Sequence, residues 1–484
     1  MSDNSSALQK LSTLEARLTK KYSKLLNVNS ALDRSLVSFQ ANKTAGGYRW
    51  CKYKEGFSAS LIQFIIKKLA IKTGKIFDPF VGSGTTLFVA SNLGIDSVGI
   101  ELLPSSAEII KVRKLIDECD QTKLVQHLRA FAKNEVWKTK GECIAFHHLR
   151  ITAGAFPETA ERELGRYFHE IKKLRDKTLS RVLRFAALCV LESISYTRKD
   201  GQYLRWDYRS GRSLGKKPFD KGAILSFTDA IQSKINDICD DISGEGLLFK
   251  LDKSSKRGSI ELLEGSCLEI TPSLEANSVS AIITSPPYCN RYDYTRTYAL
   301  ELAMLGSGEE EVRNLRQSML SCTVENRDKA MLNTFVDEDI FLGAQKALNE
   351  QALFQSILSY LESCKQDGTL NNPGIPRMIR NYFMELAVLI FQCSRIMKPG
   401  APFVMVNDNV RYQGAHIPVD LILSDIAEAA GFEVETIWVL PRGKGNSSQQ
   451  MGEHGREEIR KCVYIWRAKA RQAIQQDLQA AAAW

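Results

Sequence analysis

Five residues, Thr284-Ser285-Pro286-Pro287-Tyr288, bring a hydroxyl, a rigid corner and a flat ring together. They follow a short apolar run, Val279, Ala281, Ile282 and Ile283, that reads as a buried strand. Two adjacent prolines have no N–H to donate, so the strand cannot continue through them. The chain must leave the sheet there in a fixed, extended shape. Such a corner suits a planar amino group. Ser285 and a proline carbonyl would accept its hydrogens, and the Tyr288 ring would stack on its base. An ordinary strand-ending turn is the plain alternative, so the weight falls on a second motif upstream.

That motif is Asp78-Pro79-Phe80-Val81-Gly82-Ser83-Gly84-Thr85-Thr86, preceded by Ile76 and Phe77. Gly82 and Gly84 allow a tight turn and close backbone approach. Leu87 to Leu93 reads as the helix that follows. Strand, glycine turn and helix begin a doubly wound α/β unit, whose ligands lie at the C-terminal ends of the strands. Ser97 to Glu101 reads as the next strand, and an acid at its tip suits a ribose diol. Gly-x-Gly alone would also fit a dehydrogenase or a plain turn. Asp78 in front of it adds negative charge where a pyrophosphate would need donors. The pair of acids therefore favours S-adenosylmethionine, which has a positive centre and no phosphate, over a nicotinamide dinucleotide.

The elements that must position these motifs run in a clear order. Residues 7 to 40 carry Leu8, Leu11, Leu14, Leu18 and Leu25 at helical spacing, a stripe that packs on the body or on a partner. Residues 1–45 are thus expected to be a helical arm, ended by Ala45 to Gly47. Residues 46–104 hold the glycine turn; Ser58 is the expected N-cap of a helix over Leu61 to Leu69. Residues 105–257 interrupt the alternation with helices expected at 106–133, 158–174, 178–196 and 221–243. The α/β pattern resumes over 258–470, with a charged helical stretch at about 307–370 and a helix over Asn381 to Met397. Strands are expected at Phe403 to Val406, ending in Asn407-Asp408-Asn409, then at Val434 to Leu440 and Cys462 to Trp466. Residues 471–484 form a tail with no chemistry in it.

Composition narrows the function. The chain has 484 residues, 44% hydrophobic and 25% charged, which suits a large globular core. A net charge of +9 permits a polyanionic partner. Eleven cysteines show no Cys-x-x-Cys pair and no zinc spacing, so reduced thiols and no metal are expected. No apolar run approaches 18 residues, and Met1 to Ser6 are polar with no signal core behind them. A cytosolic protein with no membrane partner is the expectation.

Basic and aromatic residues alternate in the insert: Arg198, Lys199, Tyr203, Arg205, Trp206 and Arg209, running on to Lys216 and Lys217. That mixture suits phosphate contact plus base stacking, against the alternative of a solvated loop with its rings packed inward. Arg291 and Arg296, just past the proline corner, are similar candidates. So are Arg442 and Lys444, in a loop rich in glycine and amides.

Together these motifs resemble the DNA amino-methyltransferases, the S-adenosylmethionine-dependent modification methylases of bacteria. The resemblance covers about 46–104 and 258–467 and implies a Rossmann-like, seven-stranded α/β sheet with a mostly helical inserted domain for target recognition. It implies that Pro79, Phe80, Gly82, Ser83, Gly84, Thr85 and Thr86 hold the cofactor with Asp78, and that Glu101 holds its ribose. Phe57, in the Tyr53 to Ser58 segment, would close over the methionine end, with Thr284 nearby. Ser266 stands where relatives often carry an Asp for the adenine amino group. Ser285, Pro286, Pro287 and Tyr288 would form the catalytic corner. A serine at its first position usually accompanies cytosine N4 methylation, with adenine N6 as the other reading. Duplex DNA is the implied partner, and a cognate restriction or defence nuclease a further one. An RNA methylase and a catalytically silent DNA-binding subunit are the alternatives.

Overall fold

The apolar runs pair as strands in a computed structural model that describes residues 2–33, 36–200, 203–212, 218–244, 256–329, 335–441 and 459–470. Among them the strands are β1 (Leu26–Val28), β2 (Lys75–Asp78), β3 (Asp96–Glu101), β4 (Thr197–Asp200), β5 (Tyr203–Trp206) and β6 (Ile260–Glu264). There follow β7 (Ala281–Thr284), β8 (Pro402–Asp408), β9 (Val410–Tyr412), β10 (Ala415–Ile417), β11 (Phe432–Val439) and β12 (Lys461–Ala468). The main sheet has the order β1-β11-β12-β8-β7-β2-β3-β6. Neighbours from β6 to β8 are parallel, whereas β12 runs antiparallel to both β8 and β11. Seven of these strands make the expected Rossmann-like sheet. The eighth, β1, comes from the N-terminal arm and pairs in parallel with β11.

Register decides where the chemistry goes. β2 lies between β3 and β7, with Phe77 beside both Val98 and Ile282. Glu101 at the tip of β3 pairs with Glu264 at the tip of β6, just before Gly265-Ser266. The glycine turn, the acid, the serine and the proline corner therefore leave the sheet at one edge, at the C-terminal ends of parallel strands. β7 is buried along its whole length, as its uninterrupted apolar run requires.

The N-terminal arm is helical only over Ser2–Lys21. Leu11 and Leu18 are buried against this chain's own core, so the stripe packs on the body. The chain then enters β1 and a short 3₁₀ turn, Phe39–Lys43, rather than continuing as helix to residue 45. The long helix runs over Ile375–Ile396, starting earlier than Asn381 because Pro376 fits its first turn.

Where one helix is expected over 106–133 there are two, Pro104–Glu118 and Gln121–Asn134, because the chain turns extended at Cys119 and Asp120 caps the second helix. The insert also holds helices Glu158–Lys173, Lys177–Ile194 and Phe227–Ser243, close to expectation, with β4 and β5 as an antiparallel hairpin. Its core is built on Trp137, Tyr167, Phe185 and Phe227. That core is not closed off, since Trp50 and Cys51 before the insert and Ala299, Leu300, Leu302 and Ala303 after it belong to the same cluster. No helix of the described residues is long and apolar enough to cross a membrane. All eleven cysteines are free, and the described residues hold no cluster of metal-ligating side chains.

One buried contact fixes an inserted loop against this frame. Glu385, on the long helix, accepts from the Ser321 amide (2.8 Å), the Ser321 hydroxyl (2.5 Å) and Lys329 Nζ (2.6 Å). Glu385→Ala would leave Lys329 buried without its counter-charge, and should cost about 3–5 kcal/mol. Urea unfolding of the two proteins measures that loss directly.

Candidate active site

β2 ends at Asp78, and the chain bends through Gly82 and Gly84 into helix Thr85–Asn92. Both glycines adopt positive φ, +53° and +84°. A Cβ on Gly82 would sit 2.9 Å from the Tyr53 ring, and one on Gly84 would sit 2.8 Å from Ile110. The bend is therefore tight because aromatic and aliphatic side chains press on it from outside. Asp78 is 1% exposed. Its carboxylate accepts from Thr284 Oγ1 (2.6 Å), Thr86 Oγ1 (2.8 Å) and the Phe80 amide (3.0 Å). Burial pushes its pKa up to about 6, although all three donors pull the other way.

This corrects one expectation. Asp78 was expected to face a positive centre on the cofactor, yet it turns inward and does not line the cleft. Thr86 and Thr284 are fully buried and donate to its carboxylate. Gly84 serves the turn and also stays out of the cleft wall.

The proline corner starts directly after Thr284. Ser285 is partly exposed and Pro286 is buried. The Tyr288 ring is half-buried. Burial, then the nearby charge of Asp408, raises the pKa of its hydroxyl, while a hydrogen bond with Ser285 lowers it. Cys289 is fully buried, as a packing residue should be, and its carbonyl accepts from Tyr412.

Ser285 and Pro287 line the same cleft as Pro79, Phe80, Gly82 and Ser83. The cleft opens to solvent, and the space it bounds together with that open solvent is about 770 Å³. Phe57 and Thr85 also line it, as do Glu101 and Ser266. Glu101 is 8% exposed and accepts from the Leu103 amide at 2.8 Å. Burial drives its pKa up to about 8, against the backbone amides of Leu103, Gly82 and Leu102. The Ser266 hydroxyl donates to the Ser318 carbonyl at 3.1 Å, which leaves its oxygen free to accept.

Several cleft residues were not singled out from sequence. Glu55 is one; its carboxylate is clasped by the hydroxyls of Tyr292 and Tyr298. Tyr53 stacks on Tyr298 with centroids 5.5 Å apart. The only signal for these two was their place in the closing segment. Met319 and Leu320 form another wall from the far helical stretch, where no motif marks them.

The basic candidates divide sharply. Lys199 is 3% exposed and ion-paired to Glu301 at 2.5 Å, so it cannot reach a phosphate. Trp206 is buried in the insert core and cannot stack on a base. Arg209 is committed to Asp207 through two nitrogens and to the Gly222 carbonyl. Trp206 thus packs inward with Lys199 buried beside it, whereas Arg209 stays exposed in its ion pair. Arg198 is exposed, and so is Arg205, which pairs with Asp200 at 3.1 Å and covers the Phe219 ring. Arg296 pairs with Asp293 and Glu325. Arg291 adopts φ +63°, and its buried Nε has no partner among the described residues. The Tyr203 side chain, Lys216, Lys217, Arg442, Lys444 and the tail lie outside the described residues.

The sequence has known relatives. A family model described as DNA methylase, of the N6/N4 methyltransferase group, matches residues 13–112. Type II methyltransferase M.AvaI of Nostoc sp. is 48% identical over 470 residues, 96% of this chain and 95% of its own length. Type II methyltransferase M.BsoBI of Geobacillus stearothermophilus is 41% identical over 473 residues, 93% of this chain and 91% of its own. No solved structure matches the chain significantly. The chain belongs to the DNA methyltransferases of the N4/N6 amino group.

Membership implies a methyl donor of the S-adenosylmethionine type, and the cleft fits one. Glu101 is a buried carboxylate whose partners are backbone amides rather than a cation, which leaves acceptor capacity for a diol. Phe80, Ile100, Leu103 and Met319 supply apolar plates for an aromatic base.

The raised Glu101 pKa sets a sign. The folded protein holds a proton that the unfolded chain releases near pH 4.5, so this contribution to stability is full below that pH and is lost by about pH 8. Glutamine mimics the protonated form. Without ligand, Glu101→Gln should match the wild type near pH 4.5 and melt above it at pH 8.5, as thermal denaturation at both pH values will read. Thr284→Val should leave buried Asp78 short of one donor, cost about 1–3 kcal/mol, and slow methyl transfer more than it weakens cofactor-analogue binding.

Proposed function

We propose that this protein methylates the exocyclic amino group of an extruded base in duplex DNA, with cytosine N4 as the acceptor. One observation carries the reading: the glycine bend and the proline corner line a single cleft. S-adenosylmethionine, when bound, supplies the methyl group as a sulfonium. Glu101 would hold its ribose, and Phe57, Phe80, Gly82, Ser83, Thr85 and Ser266 would enclose the rest.

The chain's own residues then act on the base. An amino nitrogen conjugated to a ring is a poor nucleophile. Ser285 and the Pro286 carbonyl accept its two hydrogens, which favours a tetrahedral nitrogen with its lone pair exposed. This is orientation toward the transition state rather than strong base catalysis. Extruding the base from the duplex costs a few kcal/mol. Stacking on Tyr288 returns about 1–3 kcal/mol. No cysteine is needed as a nucleophile, and Cys289 is buried in the packing.

The serine at position 285 supports cytosine over adenine. Residues 46–104 and 258–470 would form the catalytic core, and the insert 105–257 would read the target. Arg198, Arg205, Arg291 and Arg296 are the basic residues offered to phosphates. The Type II relatives support a place in restriction and modification of bacterial cytosolic DNA, beside a cognate nuclease.

Incubation with DNA and labelled methyl donor, followed by digestion to nucleosides, tests the base. Label should appear in N4-methylcytosine; label confined to N6-methyladenine overturns that assignment, and preferential labelling of competing RNA overturns the substrate. Ser285→Ala and Tyr288→Ala should each slow transfer by about 100-fold or more while retaining binding of the unreactive analogue sinefungin. If both variants keep the wild-type rate, the corner is not where transfer occurs.

A further inference from the structure

The β4–β5 hairpin has one exposed face and one buried face. Arg198 on β4 and Arg205 on β5 are direct cross-strand partners, and both are exposed. Asp200 on the same face pairs with Arg205 at 3.1 Å and offsets part of this like-charge contact, leaving two arginines to one carboxylate, a balance that suits a polyanion. The next residue, Lys199, points the other way and is buried. Its Nζ pairs with Glu301 of helix Ala299–Leu305, just downstream of the proline corner, and lies 4.2 Å from the centre of the Tyr298 ring.

Tyr298 connects this buried charge to the cofactor cleft. Its hydroxyl donates to Glu55, a cleft residue, and its ring stacks on Tyr53. Tyr53 in turn presses on Gly82 in the cofactor bend. A second strut runs in parallel: Lys54 Nζ donates to the Lys199 carbonyl at 2.5 Å. So one strand carries Arg198 facing outward and Lys199 braced, through side chain and backbone, against the segment that closes the cleft.

A buried lysine–glutamate pair is a costly way to gain stability, because apolar residues of similar size often do as well or better. The second oxygen of Glu301 is buried with no partner among the described residues. Packing alone does not explain the choice. We infer that Lys199 is a positioning residue through which contact of duplex DNA with the outer face of the hairpin tightens the cofactor cleft. The inference rests on the DNA-methyltransferase reading and adds a linkage between its two substrates.

Linkage requires that DNA and cofactor raise each other's affinity by the same factor. Sinefungin affinity is measured by calorimetry, with and without a duplex that the wild type methylates. In the wild type the duplex should tighten binding about 5-fold or more. In the double variant Lys199→Met, Glu301→Leu that ratio should fall to about 1, while the DNA-free affinity stays at the wild-type level. Arg198→Ser with Arg205→Ser should weaken duplex binding and leave DNA-free sinefungin affinity unchanged. Tyr298→Phe, which keeps the buried pair but removes the hydroxyl donated to Glu55, should lower the ratio as well. A wild-type ratio near 1, or a double variant and a Tyr298→Phe variant that both keep the wild-type ratio, overturns the inference even if the enzyme methylates DNA. A reduced melting temperature with an unchanged ratio assigns Lys199 to folding alone and also overturns it. Failure of the wild type to methylate any duplex removes the reading beneath it.

Discussion

The buried carboxylate of Asp78 holds together two bends that lie 206 residues apart in the chain. A carboxylate this deep survives only if its oxygens are occupied, and here two threonine hydroxyls and one backbone amide occupy them. Thr86 belongs to the helix that follows the cofactor bend, and Thr284 is the last residue before the proline corner. Each hydroxyl must donate, because an ionised carboxylate can only accept. The directions of both side chains are therefore set, and with them the spacing between the glycine bend and the proline corner. In-line methyl transfer needs such spacing, since a small misplacement of the reacting atoms costs large factors in rate.

Three of the carboxylates near this edge, Asp78, Glu101 and Glu55, differ by what surrounds them. Asp78 is consumed by the scaffold. Glu101 is nearly as buried, yet it faces the cleft and meets backbone amides, so it retains capacity for a ligand. Glu55 also faces the cleft and is held by two tyrosine hydroxyls from the segment after the corner. An acid in front of the glycines predicts a cofactor contact at Asp78. The acid is real, but position in a motif does not say which way a side chain turns. Here the neighbouring strand offers a hydroxyl at the right height, and Asp78 turns toward it.

Much of the fold was legible because parallel strands announce themselves. Ile76-Phe77, Val98 to Ile100 and Ala281 to Ile283 are short apolar runs, each followed by a polar or rigid turn. The two bends were legible for the same reason: glycine and proline limit the backbone wherever they occur. Strand β1 was not legible, since three residues within an apolar helical stripe carry no separate period. Neither were Met319 and Leu320, which become cleft residues only because a distant loop is tied to the long helix. The basic run at 198–209 divides for a physical reason. On a two-stranded ribbon, adjacent residues face opposite ways, so a stretch rich in arginine, lysine and tryptophan splits into an exposed set and a buried one. Arg198 and Arg205 went out, and Lys199 and Trp206 went in.

Buried lysines recur where inserted chain meets the catalytic frame. Lys199 pairs with Glu301, and Lys329 pairs with Glu385. In each case one partner comes from a segment that interrupts the α/β alternation, and the other from a helix packed near the cleft. Apolar contact would hold such a segment equally well, but it would tolerate sliding by a turn or a residue. An ion pair in a dry site does not, because any slip leaves a charge buried alone. The insert and the core share one apolar cluster, so no gap between them absorbs a shift. Placing each inserted segment at one register is therefore a separate requirement from keeping it folded. The hairpin and the Met319-Leu320 wall are the two places where the register decides the shape of the site.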